Sequence, residues 1–132
     1  MRIVALVTLL LTVGCGPAVG EVRMLVRPPK PESCDLQIVE VNAADMAPGA
    51  KFGPGGELEM VGSIMIGASD GTDAMSEDIR KLVRPRACAM GGDVVSLLAS
   101  GTGSNRRGVP QQNIVFTVWG KQSRAPSPPQ KF

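Results

Sequence analysis

Eleven largely apolar residues, Ile3–Val13 (IVALVTLLLTV), stand behind a single positive charge at Arg2 and end at Gly14 and Cys15. As a helix such a run covers about 16 Å, roughly half of a bilayer core of about 30 Å, so it is too short to span a membrane. Its charge, length and small-residue exit are those of a secretory signal, and residues 1–14 are expected to leave the chain. The 118 residues that remain suffice for one small domain and not for two. A domain of this size buries only about two-thirds of the surface of its unfolded chain, so a covalent staple would matter.

Behind Cys15, residues 15–33 hold Pro17, Pro28, Pro29 and Pro31 and read as a tether. Residues Leu36–Val41 (LQIVEV) are rich in β-branched side chains and are expected to form a strand, ended by a loop with Pro48, Gly49, Gly53, Pro54, Gly55 and Gly56. Leu58, Met60, Ile64 and Ile66 recur at a period of two, which predicts a half-buried second strand. From Ser76 to Met90 the spacing becomes helical, with Ile79, Leu82, Val83, Ala87 and Met90 on one face. Ser76 can cap that helix, Glu77 and Asp78 suit its positive end, and Gly91 and Gly92 can end it. Pro85 removes one backbone donor and predicts a kink near Val83–Arg84, or two short helices.

Asp93–Ser100 and Asn113–Gly120 read as two further strands joined by the loop Gly101–Gln112, an antiparallel hairpin. The tail 121–132 has three prolines and little to bury, and is expected to be disordered. The predicted fold is therefore α+β: one domain over residues 34–120 in the order ββαββ, a four-stranded sheet with one helix on one face.

Composition narrows the functions open to this chain. The formal net charge is +2 and aromatic residues make up 3% of the chain, which supplies neither an electrostatic pull toward nucleic acid nor stacking platforms for bases. Histidine is absent, and with it the commonest general base and neutral metal ligand. A non-enzymatic protein without cofactor or metal is the expectation, and no nucleic-acid partner.

Several local patterns suggest more and are outweighed by simpler roles. The stretch Gly101–Gly108 (GTGSNRRG) has the glycines of a phosphate loop, but Pro110 and a β-pattern follow it where a helix would be needed. It is read as a hairpin tip, with Arg106 and Arg107 as a candidate contact for an anion. The Gly91-Gly92-Asp93 turn is accounted for by the helix stop. Glu57 and Glu59 share one side of a strand without further acids nearby, and are read as a solvated face. Among Met60, Met65, Met75 and Met90, a soft-metal pattern is not evident, and Met60 and Met90 are assigned to the core. Cys34 and Cys88 lack the Cys-x-x-Cys spacing of redox and zinc sites, and a structural disulfide between them is the main expectation, with Cys88 as a buried thiol the alternative.

The residues Leu11-Thr12-Val13-Gly14-Cys15 resemble the lipobox of bacterial lipoproteins. That resemblance implies cleavage before Cys15, lipidation of Cys15 and anchoring to a membrane; Gly16 after it favours the outer membrane of the envelope. The stretch Arg86–Val95 (RACAMGGDVV), with Leu58, Val61 and Gly62 upstream, resembles small envelope domains related to the Rcs stress-sensor lipoprotein of the outer membrane. Together these point to a lipid-anchored module that binds or senses an envelope protein or an anionic envelope polymer. A self-associating structural lipoprotein ranks second and an enzyme third.

Overall fold

The computed structural model describes residues 17–122. The expected signal, Cys15 and most of the tail lie outside the described residues. Six elements follow one another: β1 (Ala18–Arg23), β2 (Gln37–Glu40), β3 (Leu58–Ser69), α1 (Glu77–Ala89), β4 (Val94–Ser104) and β5 (Pro110–Lys121), with a 3₁₀ turn at Ala43–Met46. They form one mixed sheet in the order β1-β3-β5-β4-β2, with α1 against one face. The class is α+β as expected. The sheet has five strands rather than four, because β1 lies in the proline-rich stretch read as a tether.

That added strand pairs antiparallel with β3, from Ala18 opposite Gly67 to Arg23 opposite Gly62. It is an edge strand held chiefly by backbone bonds; only Val19 is partly buried against the core. Its sequence, AVGEVR, therefore carries little apolar alternation to announce it. The prolines after it form a pinned strap: the Lys30 N–H donates to the Cys88 carbonyl at 2.8 Å, and the Met24 and Leu25 N–H groups both donate to Val61 O at 2.8 and 3.1 Å. The folded unit thus begins at Ala18 instead of residue 34. At the other end β5 reaches Lys121, and the Gln122 N–H donates to Glu57 O, so the ordered chain runs past residue 120.

The hairpin between β4 and β5 is longer than expected. Residues Gly101–Ser104 and Pro110–Gln112 pair as strand, and only Asn105–Val109 turn. Asn105 organises the turn by accepting from the N–H groups of Arg107 and Val109 through Oδ1, while Gly108 takes a φ of 75°.

Period-two reading of β3 fails at one point. A bulge between Met60 and Gly62 shifts the register, so Leu58 points away from the helix while Ile64 and Ile66 point toward it. Val61 takes the core position, and Met60, expected inside, is exposed. A second bulge between Leu97 and Ala99 leaves Leu98 exposed.

The helix runs as one element through Pro85, so of the two expected alternatives, a kink or two short helices, the division into two does not occur. Ile79, Val83, Ala87 and Met90 are buried as expected, Leu82 is only partly buried, and Cys88, outside the expected face, is buried as well. Ser76 occupies the N-cap position, but its hydroxyl makes no cap bond. The C-terminus is a Schellman turn: Gly92 N–H donates to Ala87 O and Gly91 N–H to Cys88 O, both at 2.9 Å, with Gly91 at a φ of 78°.

Two apolar clusters result. The larger packs α1 on Val61, Ile64, Ile66, Val95, Ile114, Phe116 and Val118. The smaller lies on the other face, where Phe52 from the β2–β3 loop meets Trp119 edge-on at 5.5 Å, beside Leu58 and Val94. Cys34 and Cys88 are joined by a disulfide, Cα–Cα 5.9 Å, across 54 positions of sequence. On the chain-entropy view a loop of that length adds about 4 kcal/mol. Cys34→Ala and Cys88→Ala should each lower the urea midpoint steeply and nearly equally, with the double variant costing little more. Clearly additive losses would mean that the thiol packing, not the bridge, supplies the stability.

Candidate functional site

The residue best placed to organise a site is Asp93, which sequence reading left as the end of a helix stop. The Schellman turn brings it to the start of β4, beside the last residues of β5 and beneath the strap. Its Oδ2 accepts from the Lys121 N–H at 2.7 Å, its Oδ1 accepts from Lys30 Nζ, and Arg27 Nη2 lies 3.6 Å away. Lys30 Nζ also donates to Gly92 O at 3.1 Å. Arg27 lies across Gly120, where any side chain would collide with the guanidinium, and its Nη1 reaches Glu59 at 3.6 Å. Glu59 is therefore paired, while Glu57 has no ion-pair partner among the described residues.

Partial burial works to raise the Asp93 carboxyl, but the Lys30 and Lys121 hydrogen bonds and the charges of Lys30 and Arg27 outweigh it and hold the group below its ordinary value. A carboxyl lowered by folding contributes stability above its unfolded value and loses it as pH falls through the folded one. Stability should therefore decline from about pH 4 downward. Asp93→Asn should be less stable at neutral pH and converge with the wild type in acid, as read by the urea midpoint against pH. A constant offset at every pH would remove the carboxylate from this role.

What the corner presents is apolar. β1 exposes Val22, the strap between β1 and Arg27 exposes Met24, Leu25 and Val26, and Met60 precedes the Val61 to which that strap is bonded; Met24 is 62% and Val26 101% exposed. Met65, also exposed, continues the patch along the sheet face opposite α1, beside Gly20. Salt bridges beneath these side chains hold the strap in place. Among the described residues no group of three or more His, Cys, Asp or Glu is arranged to hold a metal ion.

The other candidates are scattered. Arg106 and Arg107 stand exposed on the hairpin tip, at the end of the sheet opposite the Asp93 corner. Cys34 and Cys88 form the bridge under the strap, and Cys15 lies outside the described residues. No described helix is long and apolar enough to cross a membrane.

Comparison with known proteins adds little. No protein-family model matches the chain, and no curated protein does. A solved structure, the crystal structure of a Francisella virulence factor FvfA, aligns with 78% of this chain and 98% of its own at 10% identity, with a TM-score of 0.49.

Proposed function

We propose that this protein is a lipid-anchored component of the bacterial envelope that binds another envelope protein through the apolar strap, without catalysis or cofactor. Residues Leu11–Cys15 support the anchor, at Cys15 and in the outer membrane, by their resemblance to a lipobox. The resemblance of Arg86–Val95 to the Rcs-related sensor domains supports a sensing role. The observation that carries the binding reading is the strap itself. Three exposed apolar side chains, Met24, Leu25 and Val26, follow one another on backbone fastened by ion pairs and a disulfide, with exposed Val22 on β1 before them and Met60 on β3 beside the Val61 that Met24 and Leu25 bond to. A soluble monomer rarely fixes such a patch in place without something to cover it.

The second reading, self-association, has its own support. β4 continues beyond its partner β2, which pairs with Val94–Leu97, so among the described residues the edge from Leu98 to Ser104 is open. Open edges invite another strand.

A photo-crosslinking side chain at Val26, compared with one at Arg80 on the outer helix surface, separates the readings in cells. Binding predicts a discrete heterologous adduct from Val26, absent from Arg80 and lost in Met24→Asp/Val26→Asp. That double variant should melt within a few degrees of the wild type, since exposed substitutions usually cost under about 0.5 kcal/mol. Equal labelling from both positions contradicts the binding reading, and an adduct of twice the monomer mass transfers it to self-association.

A further inference from the structure

We infer that the β4–β5 hairpin tip, through Arg106 and Arg107, contacts anionic phospholipid headgroups of the membrane that holds the Cys15 acyl chains; this rests on the lipid anchor proposed above. The argument is one of lengths and register. With residues 15–33 as a free tether the domain would float up to roughly 60 Å from its anchor. β1 shortens that reach. Cys15 precedes Ala18 by three residues, a span of at most about 11 Å.

Pairing fixes which end of the domain this leash leads to. Ala18 lies opposite Gly67, Gly67 opposite Asn113, and Asn113 opposite Gly101. From the Ala18 level, three more positions of β5 lead to Pro110, which adds about 10 Å, and the turn extends further. The hairpin tip therefore stands about as far beyond the level of Ala18 as three extended residues can reach. Pro17, Asn105 and Val109 line one groove, so the start of β1 and the hairpin tip lie on the same side of the domain. A lipidated Cys15 at the interface therefore brings the tip to headgroup depth.

The tip is suited to that place. From Ser104 to Pro110 it carries Arg106 and Arg107, no acid and an exposed Val109. Among the described residues neither arginine is in ion-pair range of a carboxylate. The acids at this end, Asp70, Asp73, Glu77 and Asp78, belong to the β3–α1 connection and the first turn of α1. Asp73 accepts from the Met75 N–H, and Glu77 lies 3.9 Å from Lys81. Guanidinium groups pair bidentately with phosphate, and near an anionic surface each basic side chain is attracted over a Debye length of about 8 Å. The strap, at the opposite end, is then held away from the bilayer and open to a partner.

The test uses full-length lipidated protein with labelled valine methyls in nanodiscs containing a headgroup spin label. Intact mass of the same sample reports the acyl chains on Cys15 independently. With phosphatidylglycerol present, the Val109 methyls should broaden strongly and those of Val26 hardly at all. The excess over pure phosphatidylcholine discs should vanish in Arg106→Ala/Arg107→Ala and at high salt. Acylated protein whose Val109 broadens no more than Val26, or equally in both lipids and in the variant, overturns the headgroup contact alone. Chemical-shift changes at the tip from inorganic phosphate alone as large as those from the discs would reduce it to a general anion contact and overturn the membrane assignment. An unmodified Cys15 overturns the anchor reading and this inference with it.

Discussion

Asp93 gathers three stretches that chain order keeps apart: its carboxylate receives Lys30 and faces Arg27 from the strap, takes the backbone N–H of Lys121 from β5, and follows the end of α1 directly. Each link depends on a small residue. Gly91 supplies the left-handed turn, and a side chain there would press on Pro28 O at 2.7 Å, while Gly120 leaves room for Arg27. The ion pairs are partly covered, so removing the carboxylate would leave Lys30 with the Gly92 carbonyl and Arg27 with Glu59, and desolvation less fully offset. The disulfide secures the same corner covalently a few residues further along the chain.

From that corner the two ends of the domain acquire different characters. One end carries the strap with its exposed apolar side chains, fixed by charge and by the bridge. At the other are the start of β1 and the hairpin tip with Arg106 and Arg107. An edge strand that begins three residues after Cys15 couples this polarity to any anchor there, because a short leash sets orientation as well as distance.

Much of this was legible in the residues, and the failures have physical causes. The helix, its stop and its buried face follow from Ile79, Val83, Ala87, Gly91 and Gly92, where local chemistry and tertiary packing agree. The Cys34–Cys88 pairing was expected as well. β1 escaped because an edge strand is held by backbone bonds, with Gly20 and Glu21 breaking its apolar pattern. Met60 was misplaced because a bulge changes the phase of an alternation without changing the sequence that displays it. Asp93 was passed over because its partners Arg27 and Lys30 lie more than sixty positions away, in a stretch whose prolines read as a tether. The lone arginines of the tip could be named from sequence, but the end of the sheet they occupy could not.

The central claim is that Asp93 fastens the strap to a core that stands without it. Native-state hydrogen exchange of Asp93→Asn against the wild type tests it most directly. The Met24, Leu25 and Lys30 amides, which donate to Val61 and Cys88 carbonyls, should exchange markedly faster in the variant, while Ile64 and Phe116 in the central strands keep nearly all their protection. Unchanged strap amides, or acceleration spread evenly over the whole sheet, would contradict the account.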